Sequence, residues 1–294
     1  MRSRRTIRRA RAHPGAGPAS GREALRPAAG KIEEVSSYPS EKIAVSRETA
    51  GPGDGGEGAA PFGGRAAGDR DRPVAPAFSP EQFAAAAGVS AETLRKLTTF
   101  DDLLLAASAM HNLVARSTLA DRWRRHYLDS AQIFAALAPE MRTLVDLGSG
   151  AGFPGLVLAA MGEGRFHVKL VEARAKKAAF LSTAAAAMGL SNVDVVPERI
   201  ESVRLSPPDA ITARALAPLA KLLAYAHEIA GEKTICYFLK GQDVEAELTE
   251  ASRYWRMTVE QRPSLTAPDA RLLLVRQFSP KPGQRNAKGR VHAR

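Results

Sequence analysis

Cysteine is almost missing from this chain, with one residue, Cys236, in 294. A single thiol forms no internal disulfide, and no Cys/His pair has zinc-finger spacing. Disulfide-stapled secreted scaffolds and cysteine-rich zinc modules are therefore excluded, no metal is expected, and a reducing compartment fits best. Also lacking is any run approaching the roughly 18 uninterrupted apolar residues of a spanning helix, and the N-terminus has no apolar secretory core. A cytoplasmic protein without membrane partners is expected. Acids are fewer than bases, 31 against 42, and the resulting net charge of +11 suggests a polyanionic partner.

What is present is unevenly spread. Residues 1–78 hold 12 of the 24 glycines and 8 of the 19 prolines and show no sustained apolar period. Such a stretch buries too little surface to offset its ordering entropy, so a disordered basic extension is expected. It carries 14 Lys/Arg and 9 Asp/Glu, residues 281–294 carry five Lys/Arg and no acid, and 79–280 carries 23 and 22. The basicity thus belongs to two tails, which read either as electrostatic tethers to RNA or as solvated ends. The arginines from Arg2 to Arg11 are followed at once by Pro14, Gly15, Gly17 and Pro18, which argues against an amphipathic presequence. An upstream start in GC-rich coding sequence is another source for such a segment.

Folded sequence begins at Ser79-Pro80-Glu81-Gln82, an N-cap serine, a first-turn proline and a glutamine three residues after the cap. Ser90 reads as a second cap. Leu94, Leu97, Phe100 and Leu104 then recur at helical spacing, and Arg124–Leu137 reads as a further amphipathic helix, so 79–142 is expected to form a small helical lead-in. From Thr143 the pattern changes. Strands are expected at 144–147, 167–171, 193–196, 210–212 and 235–239, helices at 154–161, 176–188 and 219–229, and a late hairpin from 256–262 and 271–277. Alternation of this kind predicts an α/β, doubly wound, mostly parallel sheet with a late antiparallel strand over 143–280.

The most informative stretch is Val145-Asp146-Leu147-Gly148-Ser149-Gly150-Ala151-Gly152-Phe153-Pro154-Gly155 at the end of the first strand. Gly148, Gly150 and Gly152 clear Cβ atoms from the path of a ligand, and the next helix points free amides at it. The same stretch satisfies a dinucleotide fingerprint, so an NAD-dependent oxidoreductase competes with an S-adenosylmethionine site. Asp146, two residues before the first glycine, favours S-adenosylmethionine, because a pyrophosphate would be repelled there. Glu172, ending the next strand, is placed to accept ribose hydroxyls in either case.

These residues carry a family resemblance. Arg125-His126-Tyr127-Leu128-Asp129-Ser130, the glycine-rich stretch, Ala213-Arg214-Ala215 and Leu239-Lys240-Gly241-Gln242 resemble, in order and spacing, the bacterial small-subunit rRNA guanine-N7 methyltransferase family, glucose-inhibited division protein B. The resemblance runs from about residue 80 to about 278. It implies a Rossmann-like S-adenosylmethionine-dependent methyltransferase sheet and methylation of guanine 527 of 16S rRNA in the small ribosomal subunit; a monomer is expected. Carried over by position, the cofactor site would use Gly148, Phe153, Glu172, Ala173, Arg174, Ile200, Glu201 and Arg214, to which the reading of the turn adds Asp146, Gly150 and Gly152. The family's tryptophan-asparagine stretch and Asn-Leu-Thr are replaced here by Ala109-Met110-His111-Asn112-Leu113-Val114.

The residues also bear on the type of transfer. Cys236 lies inside an apolar strand, unlike the loop nucleophile of a C5-pyrimidine enzyme. Thr212-Ala213-Arg214-Ala215-Leu216 lacks the Asn/Asp-Pro-Pro-aromatic motif of amine methylation. Guanine N7 offers a lone pair with no proton to remove, so alignment suffices. Arg214 and Lys240 are expected as a cationic pair framing the site, and Arg122, Arg125 and His126 as an RNA-phosphate surface, with Arg122 and His126 on one helix face. A ribosome-binding module with a vestigial pocket is the non-enzymatic alternative.

Overall fold

A capping box starts the first helix. The Gln82 amide donates to Ser79 Oγ (3.2 Å), the Ser79 amide donates to Gln82 Oε1 (2.8 Å), and α1, Pro80–Ala87, ends at Gly88 with φ +63°. The computed structural model describes residues 77–110 and 113–283. The tether, solvated-end, presequence and upstream-start readings lie outside the described residues, as do His111 and Asn112. Helix α2, Ala91–Met110, opens on a bond from the Thr93 amide to Ser90 Oγ (3.1 Å) and buries Leu97, Phe100 and Leu104 at helical spacing.

The next segment departs from expectation. In place of one amphipathic α-helix over 124–137, the chain forms a π-helical turn, Trp123–Leu128, followed by the short α3, Asp129–Phe134. The wider turn buries three consecutive residues, His126, Tyr127 and Leu128, where a regular 3.6-residue stripe would turn one outward. Trp123 is buried beside them, its ring stacked on Tyr127 with centroids 4.1 Å apart.

Five parallel strands follow: β1 (Thr143–Leu147), β2 (His167–Val171), β3 (Val193–Val196), β4 (Ala210–Arg214) and β5 (Ile235–Lys240). The hairpin β6 (Trp255–Pro263) and β7 (Arg271–Pro280) completes the order β3-β2-β1-β4-β5-β7-β6, with β7 antiparallel to both neighbours. The fold is thus the expected doubly wound α/β sheet with a helical lead-in. Helices α4 (Gly155–Met161) and α5 (Ala175–Ala187) pack with the lead-in on one face, and α6 (Leu219–His227) and α7 (Val244–Tyr254) on the other. Strand alternation separates two cores. Leu144, Leu170, Ala210, Tyr237 and Leu239 face the lead-in, whereas Val145, Leu147, Ile211, Phe238 and Trp255 face α6 and α7. The indole of Trp255 donates to the Ala220 carbonyl at 3.1 Å. Among the described residues no helix is long and apolar enough to cross a membrane.

Candidate active site

The chain leaves β1 for β2 on one side and returns to β4 on the other, so the carboxyl ends of β1 and β4 flank the switch point where doubly wound sheets bind ligands. The glycine-rich turn ends β1 there and Arg214 ends β4. The three glycines, all at positive φ, do different work. A Cβ on Gly148 would meet Leu216 Cδ1 at 2.6 Å, and one on Gly152 would meet Leu156 at 2.7 Å and Phe100 at 3.0 Å. Those two admit protein side chains. Only at Gly150 is the Cβ position open, with nothing closer than the Gly148 carbonyl at 3.6 Å, so this is where a ligand can approach the backbone.

Two carboxylates organise the turn. Glu172, buried at the end of β2, accepts from the Gly150 amide (3.0 Å) and the Arg174 amide (2.8 Å), which ties the turn to β2. Asp146 is completely buried beneath the turn. Its Oδ1 accepts from Thr212 Oγ1 (2.8 Å), its Oδ2 has no hydrogen-bond partner, and burial pushes its pKa up to about 6. Ala173 and Arg174 are exposed just past Glu172, while Ile200 is half-buried against the second core and Glu201 receives a long bond from Tyr225 (3.4 Å).

Arg214 is drawn into the protein. Its guanidinium lies over the Phe153 ring (5.1 Å), and Nη1 donates to the Arg125 carbonyl (3.1 Å) and to His126 Nδ1 (3.0 Å), with Asp129 Oδ2 at 3.5 Å. Because arginine only donates, Nδ1 of His126 is an acceptor and the proton sits on Nε2, which donates to Thr118 Oγ1 (2.9 Å). Burial, then the Arg214 charge, lowers the His126 pKa to about 4. The imidazole is therefore neutral near pH 7, and it rests against Phe153 at 5.2 Å. Asp129 binds Thr266 and Gln132 through Oδ1 (both 2.8 Å), joining Arg214 to the β6–β7 loop. Asp129 stands inside the motif quoted above, yet its sequence signal did not single it out.

Three expectations are corrected. Arg122 and His126 do not share an exposed cationic face. Arg122 makes a two-pronged ion pair with buried Asp101 (2.7 Å for both Nε and Nη2), and His126 is buried and uncharged. Of the expected phosphate-binding residues, Arg125 is exposed. Lys240 does not pair with Arg214 around one site, since it follows Phe238 on the opposite face of the sheet. Its ammonium binds Glu247 Oε2 (2.6 Å) and the Ala217 carbonyl (3.0 Å). Glu247 also receives the Leu219 amide (2.6 Å), so Lys240 and Glu247 together brace the β4–α6 connection, whose Leu216 covers Gly148. Finally, Gly148 and Gly152 make room for protein rather than for a ligand.

Residues 93–273 match the family described as rRNA small subunit methyltransferase G. Among curated relatives, the ribosomal RNA small subunit methyltransferase G of Rhodospirillum centenum is 47% identical over 207 residues, covering 70% of this chain and 94% of that protein. The protein of the same name from Paramagnetospirillum magneticum is 46% identical, covering 69% of this chain and 97% of its own. That from Rhodopseudomonas palustris strain BisB5 is 49% identical over 60% of this chain and 78% of its own length.

Proposed function

The chain belongs to the rRNA small subunit methyltransferase G family, and from that premise we propose that it transfers the methyl group of S-adenosyl-L-methionine to N7 of a guanine in 16S rRNA, guanine 527 by the family's pattern. The residues around the turn fit that cofactor. Gly150 leaves its backbone approachable, and the Glu172 oxygens each retain a lone pair for ribose hydroxyls beyond the amides they hold. By the family's pattern Arg174 would lie near the ribose, Ile200 and Glu201 would hold the adenine end, and Phe153 with Arg214 would border the end near β4. When bound, the cofactor supplies a methyl group already activated on a sulfonium.

The observation that carries the N7 reading is that, among the described residues, the His, Asp and Cys side chains near the turn are engaged or buried, and Glu172 is held by the Gly150 and Arg174 amides. His126 has both nitrogens engaged, Asp129 receives Thr266, Gln132 and Arg214, and Asp146 is sealed under the turn. Cys236 is wholly buried in β5, and burial raises its thiol pKa. Guanine N7 brings its own lone pair and loses no proton, so the protein's task is alignment. Arg214, fixed by Phe153 and His126, is a positioning residue for that alignment. The test is to incubate the protein with unmodified small subunits and methyl-labelled cofactor and to map the product. Label in N7-methylguanosine at one site is expected. Label on another atom or no label under saturating cofactor would overturn the reading.

A further inference from the structure

Beside the turn, between α2 and α5, lies a cavity of about 450 Å³. Its wall is apolar, from Ala107, Leu113 and the half-buried ring of Phe180, and its rim is cationic, from Arg174, Lys176 and Lys177. Lys177 Nζ comes within 3.9 Å of the place a Cβ on Gly150 would occupy, so the cavity adjoins the glycine of the turn whose Cβ position is open. None of the three cations has an ion-pair partner among the described residues, although the segment 79–280 as a whole is nearly balanced in charge. Glu172 gives its oxygens to the Gly150 and Arg174 amides instead.

We propose that this cavity is a subsite for one nucleotide of the substrate RNA next to the target guanine, with its phosphate on Lys176 and Lys177 and its base against Phe180 and Leu113. The inference rests on the reading of the chain as an rRNA methyltransferase. Three features favour a nucleotide. The volume lies in the range of small-ligand sites, about 300–1,000 Å³. An uncompensated cationic rim suits a polyanion. An aromatic wall behind such a rim is how proteins hold single-stranded RNA, whose unpaired bases stack on aromatic rings while basic side chains follow the backbone.

The full chain, its Lys176→Ala/Lys177→Ala double variant, Phe180→Leu and, as control, Lys233→Ala provide the test. Lys233 is exposed ahead of β5, at the opposite end of the strands. Three quantities are measured for each: cofactor affinity by titration, KM and kcat on unmodified small subunits, and the salt dependence of binding to a single-stranded RNA spanning the target. The double variant is expected to raise KM about tenfold or more, with kcat and cofactor affinity unchanged, and to flatten the slope of log K against log salt by about 0.7, the share of the one phosphate the two lysines hold. Phe180→Leu should weaken RNA binding at unchanged slope, and Lys233→Ala should do neither. A wild-type KM and slope in the double variant overturns the subsite, as does a loss confined to cofactor binding, which would assign the cavity to the cofactor. If the wild-type chain methylates no RNA, the methyltransferase reading fails, while the binding slopes still judge the subsite.

Discussion

Arg214 sits where a buried guanidinium is held by a ring face, a carbonyl, an imidazole and a distant carboxylate, and truncation would leave each of them facing a void. Arg214→Ala is expected to reduce methyl transfer by about 100-fold or more, as a 1 Å misplacement of reacting groups can. Arg214→Lys should recover little, since one ammonium cannot reproduce the planar contacts. Steady-state rates on small subunits, beside a folded circular dichroism spectrum, check this. A second residue-scale consequence concerns pH. His126 titrates at about 4 in the native state against 6.5 ordinarily, so it contributes stability that is present above 6.5 and lost as pH falls toward 4. Asp146 titrates at about 6 against 3.8, so its contribution is full below 3.8 and lost as pH rises toward 6. The two slopes oppose each other over nearly one window, each worth about 3 kcal/mol, so they largely cancel. His126→Gln should unmask a stability that falls between pH 4 and 6, and Asp146→Asn one that rises from pH 4 to 6.5. Urea midpoints across that range decide it. At this scale the glycine turn, Glu172 and Arg214 were legible because short motifs record backbone constraints directly. The tautomer of His126 and the burial of Asp146 were not, since both depend on residues far away in sequence, Thr118 with Arg214 and Thr212.

Elements were legible where their apolar residues kept a period. Strands β1 to β5, helices α4 to α6 and the closing hairpin stand within a few residues of the positions read from alternation. Helix α7 was not among the expected helices, although Val244, Leu248, Ala251 and Tyr254 recur at helical spacing and pack on the second core, because four charged residues dilute that stripe in an 11-residue helix. The π-helical turn escaped because its period differs from 3.6, and it is this turn that brings His126 inward to Arg214. Helix α7 nonetheless matters to the site, since Glu247 holds Lys240 and the first amide of α6. Glu247→Ala should free the 215–218 connection and with it the Leu216 side chain over Gly148. Cofactor affinity is expected to fall about tenfold, near 1.4 kcal/mol, while the lead-in core is unaffected. Glu247→Gln, which keeps the acceptor oxygen, should recover most of the loss. Isothermal titration with the cofactor distinguishes the two variants, and equal affinities would refute the bracing role.

Across the whole chain, the net charge of +11 is a poor guide to the catalytic body, whose segment 79–280 is nearly balanced. The relatives from Rhodospirillum centenum and Paramagnetospirillum magneticum are matched over 94% and 97% of their lengths by about 70% of this chain, and the family match begins at residue 93. A chain beginning at residue 77 is therefore expected to methylate small subunits with the kcat and KM of the full protein at physiological salt. A raised KM that converges with the full chain at high salt would instead give the N-terminal charges a part in RNA capture. The partition of the interior by the sheet has an optical consequence. The chain has two tryptophans, and the sheet gives one to each core, Trp123 on the side of the glycine turn and Trp255 on the side of α6 and α7. Trp123 stacks on Tyr127, and Tyr127 meets the Phe153 ring edge-on at 5.1 Å, so its emission reports on the residue next to Arg214. With Trp255→Phe, the unlabelled protein becomes its own single-indole fluorimeter for events at the turn, while Trp123→Phe leaves a reporter for the far core alone.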